Sequence, residues 1–271
     1  MNLYRGCCHG CIYCDSRSEC YNIDRFELIR AKADALKILR DELKRKVRTG
    51  VVGTGSMSDP YNPFEKTELL TRHALELLDA YGFGCAIVTK SANITRDIDI
   101  FSQIKEHSPM ICKITVTTAD DDLCRKLEPN VSTSSERFEA LAELSDKGLF
   151  TGITMMPILP FLEDSEDNIR AIVKKGHEAG IRFIYPALGM TLRNGNREYF
   201  YEQLEKLFPG EGLVKKYIDT FGNSYTCSCR NAGRLWKAFV SECERYGILY
   251  KMPDIISASR LGYKCSQLSF F

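Results

Sequence analysis

Little in this chain of 271 residues points to a membrane, a secreted scaffold or a polyanion. It has no apolar run of about 18 residues, so no membrane-spanning helix is expected. Lys and Arg number 37 against 36 Asp and Glu, a formal net charge of +1. That balance gives no global basic field for nucleic acid or a membrane surface, and leaves only a local patch open. The four histidines, His9, His73, His107 and His177, form no spaced constellation, and each reads as structural or solvated. There is no low-complexity linker and no internal repeat beyond a strand–helix unit. The N-terminus runs almost at once into a cysteine group, so no targeting segment is expected ahead of it. A hydrophobic fraction of 44% and a charged fraction of 27% are ordinary for a globular protein. The length suits one large α/β domain or two small ones.

Cysteine is what the chain does have, with 12 in all. Four fall in Cys7-Cys8-His9-Gly10-Cys11-Ile12-Tyr13-Cys14. Cys7, Cys11 and Cys14 make C-x3-C-x2-C; Cys8, Cys11 and Cys14 make C-x2-C-x2-C. Thiolates this close suit an iron–sulfur cluster, zinc or copper(I). Three cysteines on a [4Fe–4S] cluster leave one iron open for a substrate, and Cys8 is then the bystander. A zinc knuckle completed by His9 or Cys20 is a second reading. A disulfide framework is a third, but it wants a short secreted chain. The other cysteines are scattered apart from the Cys227–Cys229 pair, which fits a reducing cytoplasm. Cys227, Cys229, Cys243 and Cys265 are candidates for an auxiliary cluster, against the plainer reading of isolated structural thiols.

Periodicity places strands near residues 3–5, 51–57, 85–89, 111–118, 150–159 and 181–186. Helices are expected over 24–46, 67–81, 95–107, from a capping box at Thr133-x-x-Glu136, and over 165–179. Strand and helix alternate about six times with short connectors, the pattern of a parallel α/β sheet. An open doubly wound sheet and a barrel both fit, and either puts chemistry at the carboxyl ends of the strands. From about residue 189 helical stretches recur at 197–208, Leu213–Phe221 and 230–246 without intervening strands. The reading is a core over 1–188 and a helical extension over 189–271 packed against it.

The cluster loop, with an aromatic residue (Tyr13) before its last cysteine, resembles that of the radical S-adenosylmethionine (SAM) enzymes. The wider string from Asn2 to Cys14 looks like the spore photoproduct lyase-like branch. The resemblance extends over roughly residues 2–190, through Gly55-Ser56-Met57-Ser58-Asp59-Pro60-Tyr61, Val88-Thr89-Lys90-Ser91, Lys113–Thr118, and Leu127-Glu128-Pro129 with Arg137 and Gly152–Pro160. It implies a partial (βα)6 TIM-like barrel carrying a [4Fe–4S] cluster and SAM. Cluster reduction would cleave SAM to methionine and a 5′-deoxyadenosyl radical that takes a hydrogen atom from an unidentified substrate. A one-electron donor such as flavodoxin or ferredoxin is implied as a partner.

By position in these motifs, Ser58 and Asp59 would receive the SAM amino group and Lys90 its carboxylate. Charge-assisted hydrogen bonds suit both roles. Asp59-Pro60 also reads as a simple β-turn, and Lys90 as a surface lysine at a strand end. Thr115 and Thr117 share a strand face, and Thr117, nearer the strand's end, is the preferred SAM contact. Tyr13 and Pro157 fall in the stretches that meet SAM or back its adenine and ribose. Two positions depart from spore photoproduct lyase. Ser56 stands where that enzyme has a hydrogen-donating cysteine, and Asp15 where it has a tyrosine after the third cluster cysteine. The cofactor chemistry is expected to persist while the lyase reaction is not. A DNA-photoproduct lyase and a non-catalytic zinc-binding nucleic-acid module are the alternatives.

Overall fold

The computed structural model describes residues 1–263. Five parallel strands form its centre: β3 (Val51–Thr54), β4 (Gly84–Thr89), β5 (Met110–Thr115), β6 (Phe150–Met155) and β7 (Phe183–Pro186). They pair in chain order, so every crossover steps the same way. Right-handed crossovers that never reverse keep the helices on one side. The sheet is therefore the wall of a partial barrel and has no doubly wound switch point. The outer face is apolar: Ile87, Ile114, Ile153 and Ile184 are each fully buried.

The helices that cover it are α1 (Ala35–Arg45), α2 (Glu65–Glu68), α3 (Leu70–Ala80), α4 (Ile98–His107), α5 (Asp121–Leu127), α6 (Ser134–Asp146) and α7 (Glu166–Glu178). Leu75, Leu78, Phe101, Ile104, Leu141, Leu144 and Ile172 fill the interface with the sheet. Start signals read from the sequence are present. Thr133 and Glu136 close a capping box on α6, and Ser165 caps α7 by accepting from the Asn168 N–H at 3.1 Å.

Several boundaries differ from expectation. The sheet has five strands where six were expected. Residues 4–5 form a short strand, β1 (Tyr4–Arg5), outside the sheet and antiparallel to β2 (Arg30–Ala31). The helix expected over 24–46 is therefore only α1. Arg25 and Asp34 take left-handed backbone conformations, which no helix tolerates. Phe26, whose spacing looked helical, is buried under the cysteine loop instead. The helix at 67–81 splits into α2 and α3 at Leu69, again left-handed. The strand expected to reach residue 159 stops at Met155, just before Pro157, which has no N–H to continue a ladder.

The C-terminal part holds α8 (Asn196–Leu207), α9 (Leu213–Phe221), α10 (Ala232–Tyr246) and α11 (Met252–Ser259), but it is not strand-free. Strands β8 (Gly189–Thr191) and β9 (Thr226–Ser228) pair antiparallel across the α8–α9 segment. Each is three residues long, too short for period-two alternation to show. Helix α10 lies against α7, and its Leu235, Phe239 and Cys243 join the main core. Among the described residues no helix is long and apolar enough to cross a membrane.

Candidate active site

The loop of residues 7–14 sits over the carboxyl ends of the strands, held by its own backbone. The Cys7 N–H donates to the Phe26 carbonyl at 2.8 Å and the Ile12 N–H to that of Leu127 at 3.0 Å. The Asn130 N–H donates to the His9 carbonyl at 3.1 Å. Gly10 is left-handed, and a Cβ there would lie 3.0 Å from Pro129 and Asn130. Only glycine fits so tight a turn.

Cys7, Cys11 and Cys14 line one cavity of about 110 Å³; Cys8 does not. The Cys8 carbonyl is instead held by the Asn130 side chain at 3.1 Å. Burial pushes the Cys7 thiol up to about 12 and Cys11 well above the ordinary thiol range. Neither ionises there without a cation to stabilise the thiolate.

The far wall of this cavity comes from strand ends. After β3 the chain turns at Gly55, where a Cβ would sit 2.0 Å from the Val88 carbonyl oxygen. That turn presents Ser56, Ser58 and Asp59 to the cavity, and the end of β4 presents Thr89 and Lys90. Asp59 is anchored by three donors: the Tyr61 N–H at 2.8 Å, the Thr89 hydroxyl at 2.5 Å and the Lys90 N–H at 2.8 Å. His9 Nδ1 lies 3.5 Å from the same carboxylate. Burial lowers the pKa of His9, and the Asp59 carboxylate opposes that shift. Ser58 Oγ donates to the Tyr4 carbonyl at 2.9 Å. Lys90 Nζ stands 4.0 Å from Glu128 and 5.6 Å from the centre of the Tyr13 ring.

Behind the loop lies a buried charged cluster. Glu128 pairs with Arg137 and accepts from the Tyr13 hydroxyl, and both charged groups are almost fully buried. Burial pushes the Glu128 carboxyl up, and the guanidinium opposes that shift. Thr117 lines neither cavity described here. Its hydroxyl donates at 2.6 Å to Glu163, which also accepts the Leu159 N–H at 2.9 Å. Burial drives Glu163 up to about 8. Thr115, the neighbour on the same strand face, does line the small cavity.

A second cavity of about 520 Å³ opens beside the first and shares Cys14, Ser16, Ser56, Met57 and Lys90 with it. One side is formed by Tyr13, Met156 and Pro157, the other by Asp15, Tyr21 and the β8–β9 hairpin through Thr191, Thr226 and Ser228. Asp15 joins the two segments of that wall. It accepts from Thr191 Oγ1 at 3.1 Å and Tyr21 Oη at 2.9 Å, and Arg193 Nε lies 3.6 Å away.

The sequence reading therefore finds Cys7, Cys11, Cys14, Ser56, Ser58, Asp59 and Lys90 around one cavity, and Tyr13 and Pro157 on the next. His9, read as structural or solvated or as a ligand of a zinc knuckle, is buried and lines the same cavity. The sequence reading did not mark Glu163, which no motif signals, or the hairpin wall. Cys227, Cys229 and Cys243 are buried separately, with Cys229 Sγ 3.5 Å from the Ile158 carbonyl. Cys265 lies outside the described residues. Among the described residues no three His, Cys, Asp or Glu side chains are grouped as for a single metal ion.

Comparison with known proteins shows the family and the fold. The family model described as the radical SAM superfamily matches residues 1–174. An uncharacterized protein of Methanocaldococcus jannaschii is 32% identical over 230 residues, 83% of this chain and 84% of that protein. An uncharacterized protein of Mycobacterium tuberculosis is 27% identical over 228 residues, 82% of this chain. The match covers 66% of that relative, so the chain spans just under two thirds of its length. A spore photoproduct lyase mutant with bound AdoMet and dinucleoside spore photoproduct shares the fold. Its TM-score is 0.62 at 16% identity, covering 90% of this chain and 73% of that one.

Proposed function

The chain belongs to the radical SAM superfamily, and on that premise we propose that Cys7, Cys11 and Cys14 hold a [4Fe–4S] cluster beside a SAM site. The observation that carries this reading is the convergence of these three cysteines with Ser58, Asp59 and Lys90 on one cavity, while Cys8 faces elsewhere. The donor set suits a cluster. Each cysteine takes its own iron, so the thiols need not meet at one point as they would around zinc. When bound, cluster and SAM supply a 5′-deoxyadenosyl radical that takes a hydrogen atom from substrate.

The chain's own residues bind and orient. Asp59, fixed by three donors, retains acceptor capacity for the SAM ammonium, with Ser58 beside it. Lys90, whose ammonium stands 4.0 Å from Glu128, takes the carboxylate. Met156 and Pro157, with Tyr13, give the adenine an apolar face. Thr115, rather than Thr117, is the strand-end threonine placed to meet SAM. The larger cavity holds the substrate, and a one-electron donor such as flavodoxin or ferredoxin feeds the cluster. The described cysteines are all free, as suits a cytoplasmic enzyme.

Ser56 lies on the seam of both cavities, at the position of the lyase's hydrogen-donating cysteine. A serine O–H is far harder to break than a thiol S–H. The protein therefore cleaves SAM without efficient repair of spore photoproduct. The test is an anaerobic reaction of reconstituted protein with SAM and dithionite. Formation of 5′-deoxyadenosine is expected; a colourless zinc protein that forms none would overturn the reading. Multiple-turnover repair of spore photoproduct by the wild type would overturn the second claim. Ser56→Cys that gains repair would trace the loss to one residue.

A further inference from the structure

A carbon radical made in the larger cavity has to be quenched, and Ser56 is unfit to do it. The wall holds few alternatives. Hydroxyls of serine, threonine and water have strong O–H bonds, whereas phenols and thiols have weak ones. Cys14 is assigned to the cluster, and the Tyr13 hydroxyl is turned away into buried Glu128. Cys85 and Cys112 are fully buried on the outer face of the sheet, with Ile87 and Ile114. Tyr21 remains: it lines the cavity, and its hydroxyl is held by Asp15 at 2.9 Å.

We propose that Tyr21 is the hydrogen-atom donor of the substrate cavity, positioned by Asp15. This deepens the reading above and rests on it. In the step, the Tyr21 O–H bond breaks and a C–H bond forms on the radical carbon, leaving a phenoxyl radical. The one-electron donor that feeds the cluster returns one electron, and water returns the proton to the phenoxyl oxygen. Each turnover then takes two electrons, one to cleave SAM and one to restore Tyr21.

The surroundings fit the task. The hydrogen bond to Asp15 fixes the phenol against the cavity wall and raises its pKa. Arg193 lies 5.8 Å from the centre of the Tyr21 ring and also contacts Tyr225 Oη at 2.7 Å, tying the phenol to the hairpin.

The experiment uses cluster-loaded full-length protein in D2O with SAM and dithionite and no substrate. The radical left in the cavity then takes its hydrogen from the nearest donor. Wild type is expected to give singly deuterated 5′-deoxyadenosine and, on rapid freezing, a tyrosyl signal by electron paramagnetic resonance that narrows with ring-deuterated tyrosine. Tyr21→Phe is expected to lose both the label and the signal while its cluster absorbance and melting temperature stay at wild type. Asp15→Asn should keep the label with a weaker signal. Undeuterated product from wild type, or label that persists in Tyr21→Phe, overturns the assignment and leaves SAM cleavage standing. Absence of 5′-deoxyadenosine altogether overturns the reading beneath it. If Tyr21→Phe fails to hold the cluster, Tyr21→3-aminotyrosine decides: trapping of the radical on that ring supports the proposal, and none refutes it.

Discussion

The two sides of the larger cavity are built by different means. The side with Tyr13, Ser56, Lys90 and Pro157 is made of strand ends and one short loop, each fixed within a few residues of a motif. The side with Asp15, Tyr21 and Thr191 is made by contacts between residues distant in the chain. Asp15 meets Thr191 across 176 positions, and Cys20 meets Arg193 across 173. The first side adjoins the small cavity proposed for the cluster and SAM, and shares Cys14, Ser56 and Lys90 with it. The second is the wall proposed to face the substrate. A cofactor shared by a whole superfamily can be held by local sequence, whereas a substrate wall is assembled by tertiary pairing and is free to differ between relatives.

Substitutions can break this contrast, and the largest effects belong to the motif side. Cys7→Ala is expected to abolish iron binding on reconstitution, and Cys8→Ala to leave it near wild type. The reverse pattern in iron and sulfide assays would move the ligand frame by one residue.

Next comes the buried pair behind the loop. Removing Arg137 strands Glu128 in an almost dry interior, and breaking such a pair costs about 3–5 kcal/mol. Arg137→Met should lower the urea midpoint by that equivalent, and Arg137→Met with Glu128→Gln should recover part of it. No recovery in the double variant would deny that the pair is coupled.

In the proposed site, Asp59→Asn and Lys90→Met would each remove one charge-assisted hydrogen bond to SAM. Affinity should fall by about 1.5–3 kcal/mol, on the order of tenfold or more, with the cluster retained. Calorimetric titration of SAM into either variant at wild-type affinity would refute that role.

Glu163 gives a pH signature. Its folded value of about 8 lies above the ordinary 4.5, so the native state holds the proton more tightly than the unfolded chain. The stability this gives is complete below about pH 4.5 and is lost as pH rises through about 8. Glu163→Gln should flatten the decline by roughly 3–4 kcal/mol in urea melts compared at about pH 5 and pH 9. An unchanged slope would show that Glu163 is ionised in the fold.

The smallest effect is on the hairpin side. Thr191→Val loses one hydrogen bond to Asp15, worth about 0.5–1.5 kcal/mol. SAM affinity should not move, because Thr191 belongs to the hairpin side and not to the side of Tyr13, Met156 and Pro157 that is proposed to back the adenine. A fall in SAM affinity would erase the distinction between the two sides.

Legibility in the sequence follows the same division. The α/β alternation and the strand-end positions of Asp59 and Lys90 were readable, because strand period and motif spacing are local. The ends of β6 and of the helix before β3 were not. Pro157 stops one ladder, and left-handed Arg25 and Asp34 replace a helix that Phe26 and Ile29 had suggested. His9 looked idle because its partner, Asp59, lies fifty residues on. Glu163 was invisible because its burial, not its neighbours in sequence, raises its pKa. The three-residue strands of the hairpin carry no periodic signal at all.

The central claim is that one cavity joins a cluster on Cys7, Cys11 and Cys14 to SAM. Its most direct test is electron paramagnetic resonance of the reduced, reconstituted protein titrated with SAM. The account predicts about four irons per chain, a signal that changes shape when SAM binds the open iron, and no such change in Asp59→Asn at low SAM. A reduced signal indifferent to saturating SAM in the wild type, or a chain that takes up zinc and no iron, would contradict it.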